Sequence, residues 1–129
     1  MCNNSAMLQF VRSYWKTIVT AIFIAYLSLF KPNSTIQLPP IPFVDKWIHI
    51  VLYTTLTAVA LLDTKKRKNN TSSFLLVLLI SILYGGLMEI LQQFFPPRTS
   101  SWYDFLANIL GCLLAFGSIT WFVKKKRNG

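Results

Sequence analysis

Ionisable and amide side chains recur at helical spacing in two parts of this sequence. In DKWIHIVLY, Asp45, His49 and Tyr53 step by four residues, with Lys46 beside the first. In EILQQFFPPRTSSWYDFLANILG, Glu89 and Gln92 are three apart, Arg98 sits in the turn, and Asp104, Asn108 and Gly111 step by four and then three. Such spacings put side chains on one face of a helix. The set offers donors in Lys46, His49, Gln92, Arg98 and Asn108 and acceptors in Asp45, Glu89 and Asp104, which suits recognition of a polar head group. It also contains the parts of acid–base chemistry, with His49 one turn from an orienting Asp45 and Glu89 placed as a general acid. Ser100 and Ser101 lie in a loop without an elbow motif, so a covalent mechanism is not expected. His49 is the sole histidine, and zinc would have to draw its other ligands from carboxylates; no metal site is expected. Nothing in the sequence identifies a cofactor.

The elements that carry these residues are apolar. Of 129 residues 53% are hydrophobic and 13% charged, and the charges avoid four stretches at approximately 14–30, 47–62, 74–95 and 102–123. Each is near the roughly 17–25 residues that cross a bilayer as a helix, and a soluble domain this short could not bury four of them in one core. Runs such as FLLVLLISIL lack the alternation of barrel strands. The expected fold is all-α: an integral membrane four-helix bundle in a single domain, 1–129, without repeats.

A formal charge of +9 raises the possibility of nucleic acid, but the placement of the charge argues against that partner. Arg12 and Lys16 flank the start of the first stretch, Lys65, Lys66, Arg67 and Lys68 separate the second from the third, and Lys124, Lys125, Lys126 and Arg127 follow the fourth. Only Lys31, Lys46 and Arg98 fall in the alternate loops. The positive-inside bias predicts both termini in the cytoplasm and the 31–46 and 96–101 loops outside, in a multi-pass membrane protein. The first stretch lacks a small-x-small cleavage site and is expected to be retained. Cys2 and Cys112 are not expected to pair.

Turn chemistry predicts the helix ends. Residues 1–13 read as a polar lead-in and KPNSTIQLPPIPFVD as an extended external loop, with Asp45 as N-cap or first-turn acid of the second helix. Thr71, Ser72 or Ser73 is expected to cap the third helix. Pro96 and Pro97 should end it, and Ser100 or Ser101 should cap the fourth, giving an antiparallel hairpin. Glu89, six residues before Phe95, and Asn108, six after Trp102, then lie about 9 Å below the outer surface. His49 and Tyr53 lie at similar depth on the second helix. Three helices are thus expected to point polar residues into one externally open pocket.

Glu89 is the costly member of the set. A carboxylate in hydrocarbon costs about 2.5–3.5 kcal/mol on insertion scales, so it should face the bundle interior, and Arg98 is its expected partner, or that of Asp104. Gly85, Gly86 and Gly111 are expected to permit close helix approach, and Gln92, Gln93 and Asn108 serve equally well as interhelical links.

DKWIHIVLYTTL followed by EILQQFFPPRTSSWYDFLANILG resembles the VanZ-like family of small bacterial membrane proteins over approximately residues 44–116. The shared pattern comprises Asp45, Lys46, His49, Tyr53, Glu89, Gln92, Arg98, Asp104, Asn108 and Gly111, with Pro97 where the family commonly has glycine. The resemblance implies the fold, the topology, a location in the bacterial cytoplasmic membrane and membership of the polar cluster, and it carries no defined activity.

The function expected from these readings is binding of a cell-envelope lipid head group, a lipid-linked precursor or a glycopeptide at the outer surface. A membrane-embedded hydrolase or transferase using His49, Glu89 and Asp104 on a lipid-linked substrate is the alternative. Transport ranks lower, because only Thr54, Thr55, Thr57 and Ser81 continue the polar path inward.

Overall fold

The structure, a computed structural model, describes residues 2–30, 42–96 and 100–129. Its elements are α1 (Cys2–Leu29), α2 (Val44–Arg67), α3 (Thr71–Gln92) and α4 (Trp102–Asn128). The last three are long and apolar enough to cross a membrane. Their outward faces carry large apolar side chains such as Leu79, Leu83, Leu106 and Leu113 at about half exposure or more, as expected where lipid rather than water is the solvent.

α2 and α3 form the middle of the bundle, with α4 packed on one side and α1 on the other. Hydrogen bonds between helices fix the directions. Lys46 meets Asp104, His49 meets Asn108 and Thr54 meets Gly111, so α2 and α4 run parallel with a register offset of 57–59 residues. Tyr84 meets Ala21 and Gln92 meets Ser28, which makes α1 and α3 parallel with offsets of 63 and 64. The chain therefore runs up and down four times, with the lysine-rich ends of α2 and α4 at one pole and the residues singled out above near the other.

The tightest seam is that between α2 and α4, and Gly111 makes it possible. A Cβ at this position would stand 2.5 Å from the Ile50 carbonyl oxygen and 3.1 Å from the Thr54 nitrogen. The Thr54 hydroxyl uses the same closeness to donate to the Gly111 carbonyl at 3.1 Å. Ile24, Tyr53, Leu56 and Cys112 form the buried apolar centre.

Several element ends differ from the sequence expectation. The polar lead-in is helical, because α1 begins at Cys2 and bends at Tyr14, whose φ of −110° and ψ of 16° leave the helical region. The cause lies in α2. Asp63 is buried, and its Oδ2 accepts from the Thr17 backbone N–H at 3.3 Å and from the Thr17 hydroxyl at 2.8 Å. A side chain inserted into the backbone ladder bends a helix, and the second part of α1 is in effect capped from another helix. α2 runs on to Arg67 through the segment expected to be a turn, so the basic residues there complement its C-terminal dipole. Asn70, rather than Thr71, Ser72 or Ser73, caps α3 by accepting from Ser73 N–H at 2.8 Å. α3 ends at Gln92, three residues before the expected end, and Gln93, Phe94 and Phe95 continue in tighter i to i+3 turns. Ser101 caps α4, accepting from Tyr103 N–H at 3.2 Å. Phe43, not Asp45, holds the N-cap position of α2, and Asp45 lies in its first turn.

Candidate functional site

α2 contributes Lys46 and His49, one turn apart on the face that meets α4. α4 contributes Asp104 and Asn108, four residues apart, and the parallel seam fixed by Gly111 brings the two pairs level. Lys46 Nζ stands 3.3 Å from Asp104 Oδ1, with the lysine about one third exposed and the carboxylate mostly covered. One turn deeper, His49 Nδ1 lies 2.8 Å from Asn108 Oδ1. α3 adds Glu89 from the other side: Asn108 Nδ2 donates to Glu89 Oε1 at 3.2 Å, and His49 Nδ1 is 3.7 Å from that same oxygen. Asn108, fully buried, thus uses both ends of its amide to join three helices.

Glu89 is 7% exposed, and only one of its oxygens belongs to this network. Oε2 is buried and has no hydrogen-bond partner of regular geometry among the described residues, although the backbone amide of Ser101 approaches the carboxylate. Glu89 also lines a cavity of about 350 Å³, together with Gly86, Ile90, Gln93, Ser100, Ser101, Trp102 and Phe105. The cavity lies between α3 and α4 near their connecting turn, with aromatic and aliphatic walls, hydroxyls at its rim and the Glu89 carboxylate as the only ionisable lining residue among the described residues. Gly86 keeps that space open and close-walled, since a Cβ there would stand 3.3 Å from the Phe105 ring. Gln93 Nε2 donates to the Ser100 hydroxyl at 3.0 Å and ties the rim together.

The residues predicted from sequence divide into five groups. Lys46, His49, Glu89, Asp104 and Asn108 come together as described. Tyr53 is fully buried one turn below His49, its ring against Gly85, and its hydroxyl has no partner among the described residues. Gln92 points elsewhere: its side chain donates to the Ser28 carbonyl of α1 at 3.1 Å, which makes it a link between α3 and α1. Asp45 is exposed, so the expected base-orienting pair of Asp45 and His49 is not formed; His49 meets Asn108 and Glu89 instead. Arg98, with its expected contact to Glu89 or Asp104, lies outside the described residues.

Two features escaped the sequence reading. The cavity wall of Gly86, Ile90, Trp102 and Phe105 consists of residues that read as helix packing and interface anchors. Asp63, buried in the other half of the bundle with Thr17, overturns the expectation that only Thr54, Thr55, Thr57 and Ser81 are polar there. Its position directly after an apolar run and before four basic residues disguised it as part of a loop. Among the described residues, no three His, Cys, Asp or Glu side chains gather as metal ligands.

The family model described as VanZ/LLP1 matches residues 3–123, nearly the whole chain. No curated protein and no solved structure shows a significant match.

Proposed function

This chain belongs to the VanZ/LLP1 family, and from that premise we propose that its α3–α4 cavity binds the polar head group of a cell-envelope lipid at the outer membrane surface. The topology underlying this reading has four membrane crossings, α1 included, and both termini in the cytoplasm, as the distribution of basic residues predicts.

The observation that carries the reading is the second oxygen of Glu89. A buried carboxylate oxygen with no hydrogen bond of regular geometry is undersatisfied, and a ligand hydroxyl or ammonium donor in the adjoining cavity would satisfy it. The remaining wall fits the same class of ligand. Trp102 and Phe105 offer faces to a sugar ring or an acyl stem, while Ser100, Ser101 and Gln93 offer hydrogen bonds at the rim. The Lys46–Asp104 pair and the His49–Asn108–Glu89 network hold the carboxylate in place rather than contact the ligand.

An enzymatic reading draws on His49 at 3.7 Å from Glu89, an arrangement able to share a proton during attack by water on a lipid-linked substrate. It ranks second, because both groups spend their facing atoms on each other and on Asn108.

Purified protein titrated with a short-chain glycolipid by calorimetry tests the proposal. Glu89→Gln, which keeps the side-chain shape, and Trp102→Ala should each weaken binding by about tenfold or more, the scale of losing one charge-assisted hydrogen bond or one aromatic wall. Unchanged affinity in both variants would remove the cavity from consideration. A glycopeptide run in parallel distinguishes the two ligand classes, and product formation lost in His49→Ala would promote the enzyme.

A further inference from the structure

A second and larger cavity lies in the opposite half of the bundle, where α1 leans on α2 and α3. It has a volume of about 490 Å³ and an apolar wall that includes Phe10, Ile18, Leu56, Leu76, Val77 and Ile80. The groove opens sideways between α1 and α3, where Phe10, Leu76 and Ile80 are each more than half exposed. Along α3 its lining runs from Ser73 to Tyr84, eleven residue steps or about 16 Å of helix. One leaflet of a bilayer's hydrocarbon core is about 15 Å deep.

Charge is confined to one end of this groove. Arg67 and Lys68 line it there, and the Arg67 guanidinium is held 6.0 Å from the centre of the Tyr14 ring, over the groove wall. The chain has four acidic residues, and three of them, Asp45, Glu89 and Asp104, belong to the other pole. The fourth, Asp63, is buried and engaged by Thr17, so it does not turn toward Arg67 or Lys68 as an ion-pair partner. Lys65, Lys66 and the Lys124–Arg127 run add positive charge at the same pole. An apolar slot one leaflet deep, capped by two unneutralised cations, is complementary to a lipid with a negative head group.

We propose that this groove binds one molecule of an anionic phospholipid, with one acyl chain between α1 and α3 and the phosphate held by Arg67 and Lys68. The site is separate from the Glu89 cavity and does not depend on the function assigned to it. Tyr84 closes its inner end: the hydroxyl donates to the Ala21 carbonyl, tying α3 to α1 where the groove stops.

Native mass spectrometry of the full chain in a mild nonionic detergent tests this, with phosphatidylglycerol and phosphatidylcholine of identical acyl chains as probes. Phosphatidylglycerol should bind more tightly by about 5- to 30-fold, the range for two basic side chains at a membrane surface. The Arg67→Gln/Lys68→Gln variant should lose that preference, whereas Lys125→Gln/Lys126→Gln, which removes the same charge from α4, should keep it. Ile80→Trp, which fills the groove from its exposed side, should weaken both lipids. Equal binding of the two lipids, or an equal loss in both charge variants, would overturn the site in favour of diffuse attraction. Displacement by glycerol 3-phosphate at similar concentration would overturn the acyl part, and a dimer that excludes lipid would assign the groove to a second copy of the chain.

Discussion

Asn108 donates to Glu89 Oε1 at 3.2 Å, and this buried hydrogen bond joins α4 to α3 at the level where α4 also meets His49 of α2. The amide is matched at both ends, so it settles the rotation of three helices at once. A carboxylate that would be expensive in hydrocarbon gains a donor at one oxygen, while the other is buried without a hydrogen bond of regular geometry among the described residues.

Asn108→Leu removes both interactions and leaves His49 and Glu89 without their shared partner. Stability in detergent should fall by about 1–3 kcal/mol, the cost of stranding buried polar groups. Asn108→Asp should fall further, because it sets a second carboxylate against Glu89. Unfolding in mixed micelles, followed by helical circular dichroism, checks both. Wild-type stability in Asn108→Leu would mean that the network contributes nothing to the fold.

Gly111 and Gly117 lie on the same helix and should respond in opposite ways to alanine. At Gly111 the added methyl meets the Ile50 carbonyl oxygen at 2.5 Å, so α2 and α4 must separate and the Thr54 hydrogen bond lengthens. Overpacking of this kind costs about 1–3 kcal/mol. At Gly117 the methyl meets nothing within 4 Å, and the gain in helix propensity should be neutral to stabilising by up to about 1 kcal/mol. Thermal aggregation midpoints of the two variants, measured side by side, separate these outcomes.

Asp63 caps α1 across the helix interface, so its loss should be felt as the loss of an N-cap. Asp63→Leu is expected to cost about 1–2 kcal/mol, and the Thr17→Ala background should absorb part of that cost because the hydroxyl bond is already gone. A double-mutant cycle measures the coupling. Strict additivity would show that the contact between Thr17 and Asp63 does not stabilise the bend at Tyr14.

The proposed topology is testable without a ligand. In a chain whose native cysteines are replaced, a single cysteine at Lys68 or Lys126 should react with a membrane-impermeant maleimide only after the cells are opened, and one at Trp102 should react in intact cells. The reverse pattern would invert the protein and move the Glu89 cavity to the cytoplasmic surface.

Much of this architecture was legible in the sequence. Long apolar runs gave the helices, turn chemistry gave the Ser101 cap of α4, and i+4 spacing put Asp104 with Asn108. The same local rules failed where polar residues had local and distant uses of equal plausibility. Asp63 and Asp45 both border apolar runs beside basic residues; one is buried against α1 and the other is exposed. Gln92 follows Glu89 at perfect helical spacing yet bonds to α1 rather than to the cluster.

The physical reason is that periodicity is a property of one helix, whereas a hydrogen bond between helices depends on which neighbour it has, in which direction that neighbour runs and how each is rotated. The sequence by itself determined four helices, their polar faces and the charge asymmetry between their ends. Only the tertiary structure decided that α2 and α4 run in parallel register through Gly111, that Asn108 rather than Asp45 meets His49, and that Glu89 accepts from Asn108 beside a cavity that it lines. Those facts rest on atoms 19 to 59 residues apart in the chain, brought within hydrogen-bond distance by packing.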